Sequence, residues 1–282
     1  MNKKLRYIFA LSIGLFLLTS TVASAHQPRI QEDVITEVTE PEISKAYYGQ
    51  LEGEPHIYTI SASEEFELYV NILVPEIEGQ AKDLSAEIFK DGESLIVLDG
   101  KNYEWTIFFE PFGQSNYWMG PEYKEISGPG EYEIKVWSMN NDSKYSLAVG
   151  SIETFDSKEG INALKLIPEL KKDFFNESPI SFIKSPFGWG YILIMFILAF
   201  IFGFMYRAIL RKIAKKKPRK APRNIKKGGR ILRFILSLGL LLWAITTTWN
   251  PILLFLSGFT LFEAIFSWCG FYAAISRNDC PL

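Results

Sequence analysis

Apolar and polar residues alternate along several short runs between residues 43 and 155. The clearest runs are residues 56–60 (His-Ile-Tyr-Thr-Ile) and residues 132–136 (Tyr-Glu-Ile-Lys-Val). A period of two is typical of β-strands that have one buried and one solvated face. Turn-forming residues such as Asp91 and Gly92 separate the runs, as they do in hairpins. The pattern predicts an all-β sandwich or jelly roll of about eight short strands rather than a βαβ fold.

Long apolar runs replace this alternation in the last third of the chain. Residues 187–206 carry no charge and are followed by Arg207, and about 20 such residues suffice to cross the hydrocarbon core of a membrane. Residues 231–249 form a second run, and residues 252–274 form a third that only Glu263 interrupts. The sequence therefore predicts an α-helical membrane domain of three transmembrane helices after the all-β domain.

The N-terminus has the features of a secretory signal peptide. Three basic residues precede an apolar run over residues 7–18, which is shorter than the roughly 20 residues of a spanning helix. Residues 23–25 (Ala-Ser-Ala) fit the small-x-small cleavage pattern. We therefore predict a signal peptide at residues 1–25 and a mature chain that begins at His26. The alternative is an uncleaved anchor helix, and in either case the following segment lies outside the cytoplasm.

Charge is divided unequally along the chain. Residues 26–186 hold 30 acidic and 13 basic residues, whereas residues 207–233 hold 13 basic residues and no acidic one. The positive-inside rule places the basic loop, residues 207–230, in the cytoplasm. Residues 26–186 are then extracytoplasmic, the tail at residues 275–282 is cytoplasmic, and the protein is a multi-pass protein of the plasma membrane. We expect the lipid bilayer as a partner, with anionic lipid at the basic loop, and no nucleic acid.

The same patterns divide the extracytoplasmic part into a β-sandwich domain at residues 26–156 and a juxtamembrane connector at residues 157–186. The β-domain contains no cysteine, so no disulfide can hold it and it must rely on its own core. In the connector we expect a brief helix that Pro168 either breaks or begins anew, followed by a stalk.

An aromatic-rich stretch of the β-domain supplies candidate ligand-binding residues. The candidates are Trp105, Phe112, Tyr117, Trp118 and Tyr123. Residues 111–121 are predicted to form a long loop, and loops often carry recognition residues. Exposed rings bind sugars or peptides because flat apolar faces give contact area at little entropic cost. The alternative is that these rings fill the core of the domain.

No catalytic constellation is present in the sequence. His26 and His56 are the only histidines, so a Ser-His-Asp arrangement has no support. There is neither a glycine-rich phosphate loop nor an HExxH motif, and the acidic residues near turns lack EF-hand spacing. We therefore predict a protein without catalytic residues, metal site or cofactor.

Glu263 is the one acidic residue in the three predicted spans, and a central charged carboxylate costs roughly 2.5–3.5 kcal/mol on insertion scales. A turn at Asn250 and Pro251 would bring Glu263 nearly level with Ser237, one helical turn from Arg233. We therefore predict an Arg233–Glu263 pair. Cys269 and Cys280 are candidate thiols, although their spacing fits neither a redox Cys-x-x-Cys motif nor a zinc site.

The residues that carry a family resemblance lie near the C-terminus: Asn224, residues 229–233, Gly239, Gly258, residues 269–272 and residues 278–281. Over residues 224–281 the chain resembles the YgaP-like two-helix transmembrane domain, which is found fused to rhodanese in a bacterial inner-membrane sulfurtransferase. Gly270 stands where that family usually has proline. No rhodanese domain is present, so the resemblance implies only a helical hairpin that self-associates or binds another membrane protein.

Residues 128–136 and 144–150 look like the paired closing strands of secreted jelly-roll modules, among them bacterial pre-peptidase C-terminal domains. This resemblance implies a fold and no activity. Together the patterns predict a membrane-anchored extracytoplasmic protein that binds an unknown ligand and is not an enzyme. Two alternatives remain open: a membrane redox or sulfur-handling accessory that uses Cys269 and Cys280, and an extracytoplasmic glycan-binding protein.

Overall fold

The computed structural model describes residues 26–154, 156–213, 223–275 and 277. These residues form two compact units. The first unit contains residues 26–112 and 116–154, and the second contains residues 113–115 together with the helical residues from 156 onward. The predicted signal peptide, the middle of the basic loop and Cys280 lie outside the described residues.

The first unit is a β-sandwich. Its described residues form β1 (Gln27–Ile30), β2 (Ile35–Glu37), β3 (Lys45–Gln50), β4 (His56–Ala62), β5 (Phe66–Pro75), β6 (Ser85–Lys90), β7 (Glu93–Leu98), β8 (Thr106–Glu110), β9 (Ser115–Ser127), β10 (Gly130–Trp137) and β11 (Lys144–Val149). One sheet has the strand order β1-β3-β11-β5-β9-β8, and the other has the order β2-β4-β10-β6-β7. The first two strands, β1 and β2, pair in parallel with β3 and β4.

Alternation along the strands produces the core between the two sheets. In β4 and β10 every second side chain is buried, as the pattern predicts, because successive side chains of a strand point to opposite faces. Leu68, Ile72 and Ile134 belong to a single buried cluster to which both sheets contribute. The predicted turn at Asp91 and Gly92 is confirmed, with φ values of 51° and 82° that suit a two-residue hairpin between β6 and β7.

Two expectations about the strands are wrong. Residues 111–121 are not a long loop, because a turn at residues 111–114 connects β8 to β9. The long strand β5 explains the difference: its residues Val74 and Pro75 pair with Trp118 and Tyr117, so this segment completes a ladder. The closing strands β10 and β11 do not pair with each other but lie in opposite sheets, because β10 pairs with β4 and β6 while β11 pairs with β3 and β5.

The second unit is helical. Its described elements are α1 (Ser157–Glu169), a π-helical turn (Leu170–Phe174), a 3-10 helix (Pro179–Lys184), α2 (Pro186–Ile213), α3 (Lys227–Thr246), α4 (Pro251–Phe266) and the short α5 (Gly270–Ala274). Asp156 begins α1 by accepting a hydrogen bond from the Glu159 N–H at 2.8 Å, which satisfies a donor of the first turn. Pro168 lies inside α1, and the chain continues from Glu169 directly into the π-helical turn, so the predicted break at the proline is absent.

The connector is packed rather than a stalk. Phe182 of the 3-10 helix is fully buried and its ring centroid lies 5.0 Å from that of Trp249. The indole Nε1 of Trp249 donates to the carbonyl of Pro179 at 2.9 Å. Apolar side chains in the connector explain this difference, because they bury surface that a solvated stalk would expose.

The helices α2 and α3 are long and apolar enough to cross a membrane. A third span is not confirmed, because α4 has 16 residues and measures about 24 Å, against a hydrocarbon core of about 30 Å. The helix ends where Ser267 adopts a left-handed conformation with φ of 53°. Asn250 begins α4 by accepting from the Ile252 N–H at 2.8 Å, as the predicted turn requires.

Small residues have unequal roles in helix packing. A Cβ at Gly258 would lie 3.0 Å from Ala199 of α2, so glycine permits a close approach between α2 and α4. Gly239 of α3 has no such neighbour among the described residues within 4 Å. Ser237 and Ser257 join α3 to α4, since each hydroxyl donates to the backbone carbonyl of the other residue at 2.9 Å.

Candidate functional site

The five candidate aromatic residues do not form an exposed platform. Trp118 and Tyr123 are half-buried and pack against the sandwich core. Lys82 covers the Trp118 ring, with Nζ 3.8 Å from the ring centroid, which is a cation–π contact. Tyr117 is buried, and its hydroxyl lies 3.0 Å from that of Tyr48. These rings therefore offer little flat surface to a ligand.

The other two candidates are also held by the protein. The indole Nε1 of Trp105 donates to the carbonyl of Gly100 at 2.7 Å. A Cβ at Gly120 would lie 2.6 Å from the Trp105 ring, so the ring occupies space that only glycine leaves open. Phe112 lies half-buried in the turn between β8 and β9. The structure thus favours the interpretation that these aromatic residues fill and cover the core.

A different apolar surface of the sandwich is exposed. On β8 the side chains of Ile107 and Phe109 are 58% and 49% exposed, and Phe108 is exposed as well. The residues of β8 were not among the candidates, although they carry a signal. Three consecutive apolar residues interrupt a region in which apolar and polar residues alternate, and a strand with one solvated face does not produce such a run.

A network of neutral polar groups lies between the sheets. The Tyr145 hydroxyl is 2.7 Å from Nδ1 of His56 and 2.7 Å from the Tyr58 hydroxyl. Burial raises the pKa of Tyr145 and of Tyr58, and it raises the pKa of the neighbouring Tyr47 to about 12. Burial lowers the pKa of His56, although Glu54 and Glu52 oppose the shift. The network is therefore uncharged at neutral pH, and its bonds satisfy buried polar groups that would otherwise destabilise the core.

The predicted ion pair is present in the helical unit. Nε of Arg233 lies 2.9 Å from Oε2 of Glu263, and their side chains are 16% and 9% exposed. The other carboxylate oxygen, Oε1, accepts a hydrogen bond from the Gly270 N–H at 2.8 Å. Glu263 thus joins α3 to the start of α5. Both of its oxygens are satisfied, as a buried carboxylate requires.

The same cluster contains the one candidate thiol that the structure describes. Cys269 is buried, and its backbone forms a closed pair with the Asn224 side chain, with bonds of 2.7 Å and 2.9 Å. The Arg233 guanidinium lies beside the Cys269 thiol. Arg233, Glu263 and Cys269 are therefore neighbours, whereas the second candidate thiol, Cys280, lies outside the described residues.

Across the described ranges no group of three or more His, Cys, Asp or Glu residues could hold a metal ion. The polar side chains of these clusters instead form hydrogen bonds and ion pairs with one another. Chemically, the helical cluster can orient one buried carboxylate and one thiol around an arginine. The sandwich network can hold one histidine neutral.

Residues 221–282 match the model of the family described as "Inner membrane protein YgaP-like, transmembrane domain". This YgaP-like segment contains α3, α4 and α5 and hence the Arg233–Glu263 cluster. The match confirms the family resemblance of residues 224–281. With the two long apolar helices, it places the protein in a membrane, where these helices contact the lipid bilayer.

Two of the solved structures similar to the chain are single modules. One is the pre-peptidase C-terminal domain of a collagenase from Bacillus anthracis, at 10% identity and a TM-score of 0.27, covering 43% of this chain and 96% of that one. Another is a family 35 carbohydrate-binding module from an environmental isolate, at 14% identity and a TM-score of 0.23, covering 36% of this chain and 67% of that one. The first is a module of the kind that the sequence resembles. No curated protein matches the chain significantly.

Proposed function

We propose that this protein is a membrane-anchored binding protein whose β-sandwich lies outside the cytoplasm and binds an extracytoplasmic partner. The unequal charge of the two units carries this proposal. Residues 26–154 hold 25 acidic and 8 basic residues, a net charge of −17, whereas residues 207–233 hold 13 basic residues and no acidic one. Because basic loops remain in the cytoplasm, the sandwich belongs on the opposite side. Cleavage after residue 25 would leave His26 as the N-terminus of the anchored sandwich.

The proposed topology has three spans and a cytoplasmic C-terminus. Apolar side chains of α4, such as Ile252 and Ile265, are as exposed as those of α2 and α3, which suits contact with lipid. The paired serines hold α4 against α3, so α4 would cross most of the bilayer beside it. The exposed faces of this hairpin would allow self-association or binding of another membrane protein, and the basic loop would contact anionic lipid.

A second candidate function is redox or sulfur handling at Cys269. The observation that favours it is the position of this buried thiol beside the Arg233 guanidinium. The glycan-binding alternative is not retained, since the rings on which it depends pack against the core or the backbone.

The binding function is tested by comparing the full-length protein with a variant that lacks residues 26–154, both expressed in membranes and crosslinked before purification. We expect extracytoplasmic proteins to be recovered with the full-length protein and lost with the shortened anchor. Cys269→Ser is the matched control, and it should recover the same partners. Recovery of identical partners by the anchor alone would contradict the proposal, and loss of partners in Cys269→Ser would favour the thiol function.

Topology is tested independently by adding protease to intact cells or spheroplasts. The proposal expects digestion within residues 26–154 and protection of the basic loop at residues 207–230. If the sandwich resists protease in intact cells but is cut in inverted membrane vesicles, the extracytoplasmic assignment is wrong.

A further inference from the structure

The sandwich has four strands at the ends of its two sheets: β1, β2, β7 and β8. Three of them have features that discourage pairing with another chain. Strand β1 contains Pro28 and Arg29, β2 has three residues, and the ladder of β7 has an irregularity between Ile88 and Phe89 of its partner β6. Prolines, charges, bulges and short length are the usual means by which proteins prevent edge-to-edge association.

Strand β8 lacks these features over its first four residues, and its one charged residue is Glu110 at its end. Its residues 106–109 (Thr-Ile-Phe-Phe) contain no proline and no charge, and all four side chains are exposed. It pairs with β9 on one side, and within the described residues no strand pairs with its other side. An apolar edge of this kind is an aggregation hazard when it remains uncovered, so its presence indicates that another polypeptide covers it.

We propose that β8 is a docking strand that takes up an extended polypeptide segment rich in basic and apolar residues, which adds a seventh strand to the six-stranded sheet. This inference rests on the proposed binding function and names the surface and the class of partner. Backbone hydrogen bonds to residues 106–109, at the edge of β8 away from β9, supply affinity, and the side chains of Ile107, Phe108 and Phe109 select apolar residues.

Charge complementarity decides the class of partner. The sandwich carries a net charge of −17 over residues 26–154, and the exposed Glu104 stands just before β8. A domain so acidic attracts a basic segment and speeds its association. A second copy of this chain would bring two equally acidic domains together, which opposes β8-to-β8 pairing.

The test uses full-length protein in nanodiscs of neutral lipid and a fluorescent synthetic peptide of alternating lysine and valine, with binding followed by anisotropy. The variant Phe109→Lys places a charge on the docking strand. Val97→Lys is its matched control, because Val97 lies on the edge strand β7 with the same 49% exposure. We expect Phe109→Lys to weaken binding about tenfold or more, which is about 1.4 kcal/mol, and Val97→Lys to leave it nearly unchanged.

Two further peptides examine the mechanism. A peptide methylated on alternate backbone nitrogens cannot donate to the sheet edge and should not bind, and a peptide of alternating glutamate and valine should bind more weakly than the lysine peptide. Failure of the lysine peptide to bind wild-type protein, equal loss in both variants, or undiminished binding of the methylated peptide would each overturn the docking strand. So would dimerisation of the wild type that Phe109→Lys abolishes, because the strand would then serve a second copy.

The outcome separates this inference from the proposed function. If Phe109→Lys fails to bind the peptide but crosslinked partners persist, the binding function stands and β8 is not the surface that its partners use. If wild-type protein recovers no partner in membranes, the binding function fails, while the peptide result still decides whether β8 accepts a strand.

Discussion

The two units of this protein differ in the side chains that they expose and in the polar groups that they bury. In the sandwich Leu68 is fully buried and the acidic residues lie at the surface, whereas in the helical unit Leu232 is 64% exposed and the Arg233–Glu263 pair is buried. Between its sheets the sandwich holds a network of neutral polar groups that the Tyr145 hydroxyl joins. One unit is arranged for water and the other for lipid.

Buried polar groups therefore have a different role in each of the two units. Within the sandwich, hydrogen bonds among hydroxyl and imidazole groups remove the penalty of burying them, while apolar area supplies most of the stability. Within the helical unit, lipid surrounds the apolar surface, so packing and polar contacts between helices must supply the specificity. Four changes would test this contrast.

The largest effect is expected from breaking the buried ion pair. Glu263→Leu leaves the Arg233 guanidinium without its carboxylate and should destabilise the helical unit by about 3–5 kcal/mol, measured as loss of helical signal on heating in detergent. Glu263→Gln keeps an acceptor for the Gly270 N–H and should lose less. Unchanged unfolding in Glu263→Leu would show that the pair contributes nothing to this unit.

Truncating a leucine should lower the free energy of unfolding much more in the sandwich than in the helical unit. Leu68→Ala removes a fully buried side chain from the sandwich and should cost about 2–5 kcal/mol. Leu232→Ala removes an exposed one and should change stability by less than about 0.5 kcal/mol. Denaturant titrations of both variants provide the comparison. Equal losses would mean that the exposed face of α3 is covered by protein rather than by lipid.

Removing one hydroxyl from the sandwich should have an intermediate effect. Tyr145→Phe leaves His56 and Tyr58 without their shared partner and should reduce the free energy of unfolding by about 1–3 kcal/mol. Tyr103→Phe, which alters an exposed ring, is the matched control and should be neutral. The interpretation of the network would be wrong if both variants were equally stable.

The smallest effect is a dependence of stability on pH. Burial lowers the pKa of His56 from 6.5, so below pH 6.5 the unfolded chain binds a proton that the folded sandwich excludes. The free energy of unfolding is therefore fully retained above pH 6.5, and it falls as pH drops from 6.5 through the lower pKa of the folded state. Burial also lowers the pKa of His26, so each histidine needs its own variant.

Chemical denaturation from about pH 8 to about pH 5 measures this slope. His56→Gln should reduce the slope of the free energy of unfolding against pH, and His26→Gln should reduce it by a further amount. A slope that neither substitution alters would assign the acid sensitivity of the sandwich to its carboxylates instead.

The sequence located the strands well because burial on one face leaves a period of two, as in β4 and β10. It also predicted the Arg233–Glu263 contact, because a turn at Asn250 fixes which residues of two antiparallel helices lie level. The sheet to which β10 and β11 belong could not be predicted, since both strands show the same alternation and only distant pairing partners distinguish them.

Other features depend on tertiary context. The exposure of Trp118 was ambiguous because an aromatic ring serves equally well in a core or on a surface, and the position of Lys82 over it decides. The end of α4 at Ser267 carried no sequence signal, since serine rarely adopts a left-handed conformation. The Asn224 N–H donates to the Ser267 carbonyl, and the Glu263 carboxylate accepts from the Gly270 N–H. Neither contact can be read from the residues next to Ser267.

The last strand of the sandwich, β11, lies inside its sheet between β3 and β5, where Lys144 pairs with Gln50 and Val149 with Lys45. Partners so distant along the chain slow folding, because a large loop must close before its contacts contribute. Until Val149 has left the ribosome, β3 and β5 each lack a neighbour. The six-stranded sheet can therefore close only after this final strand has emerged.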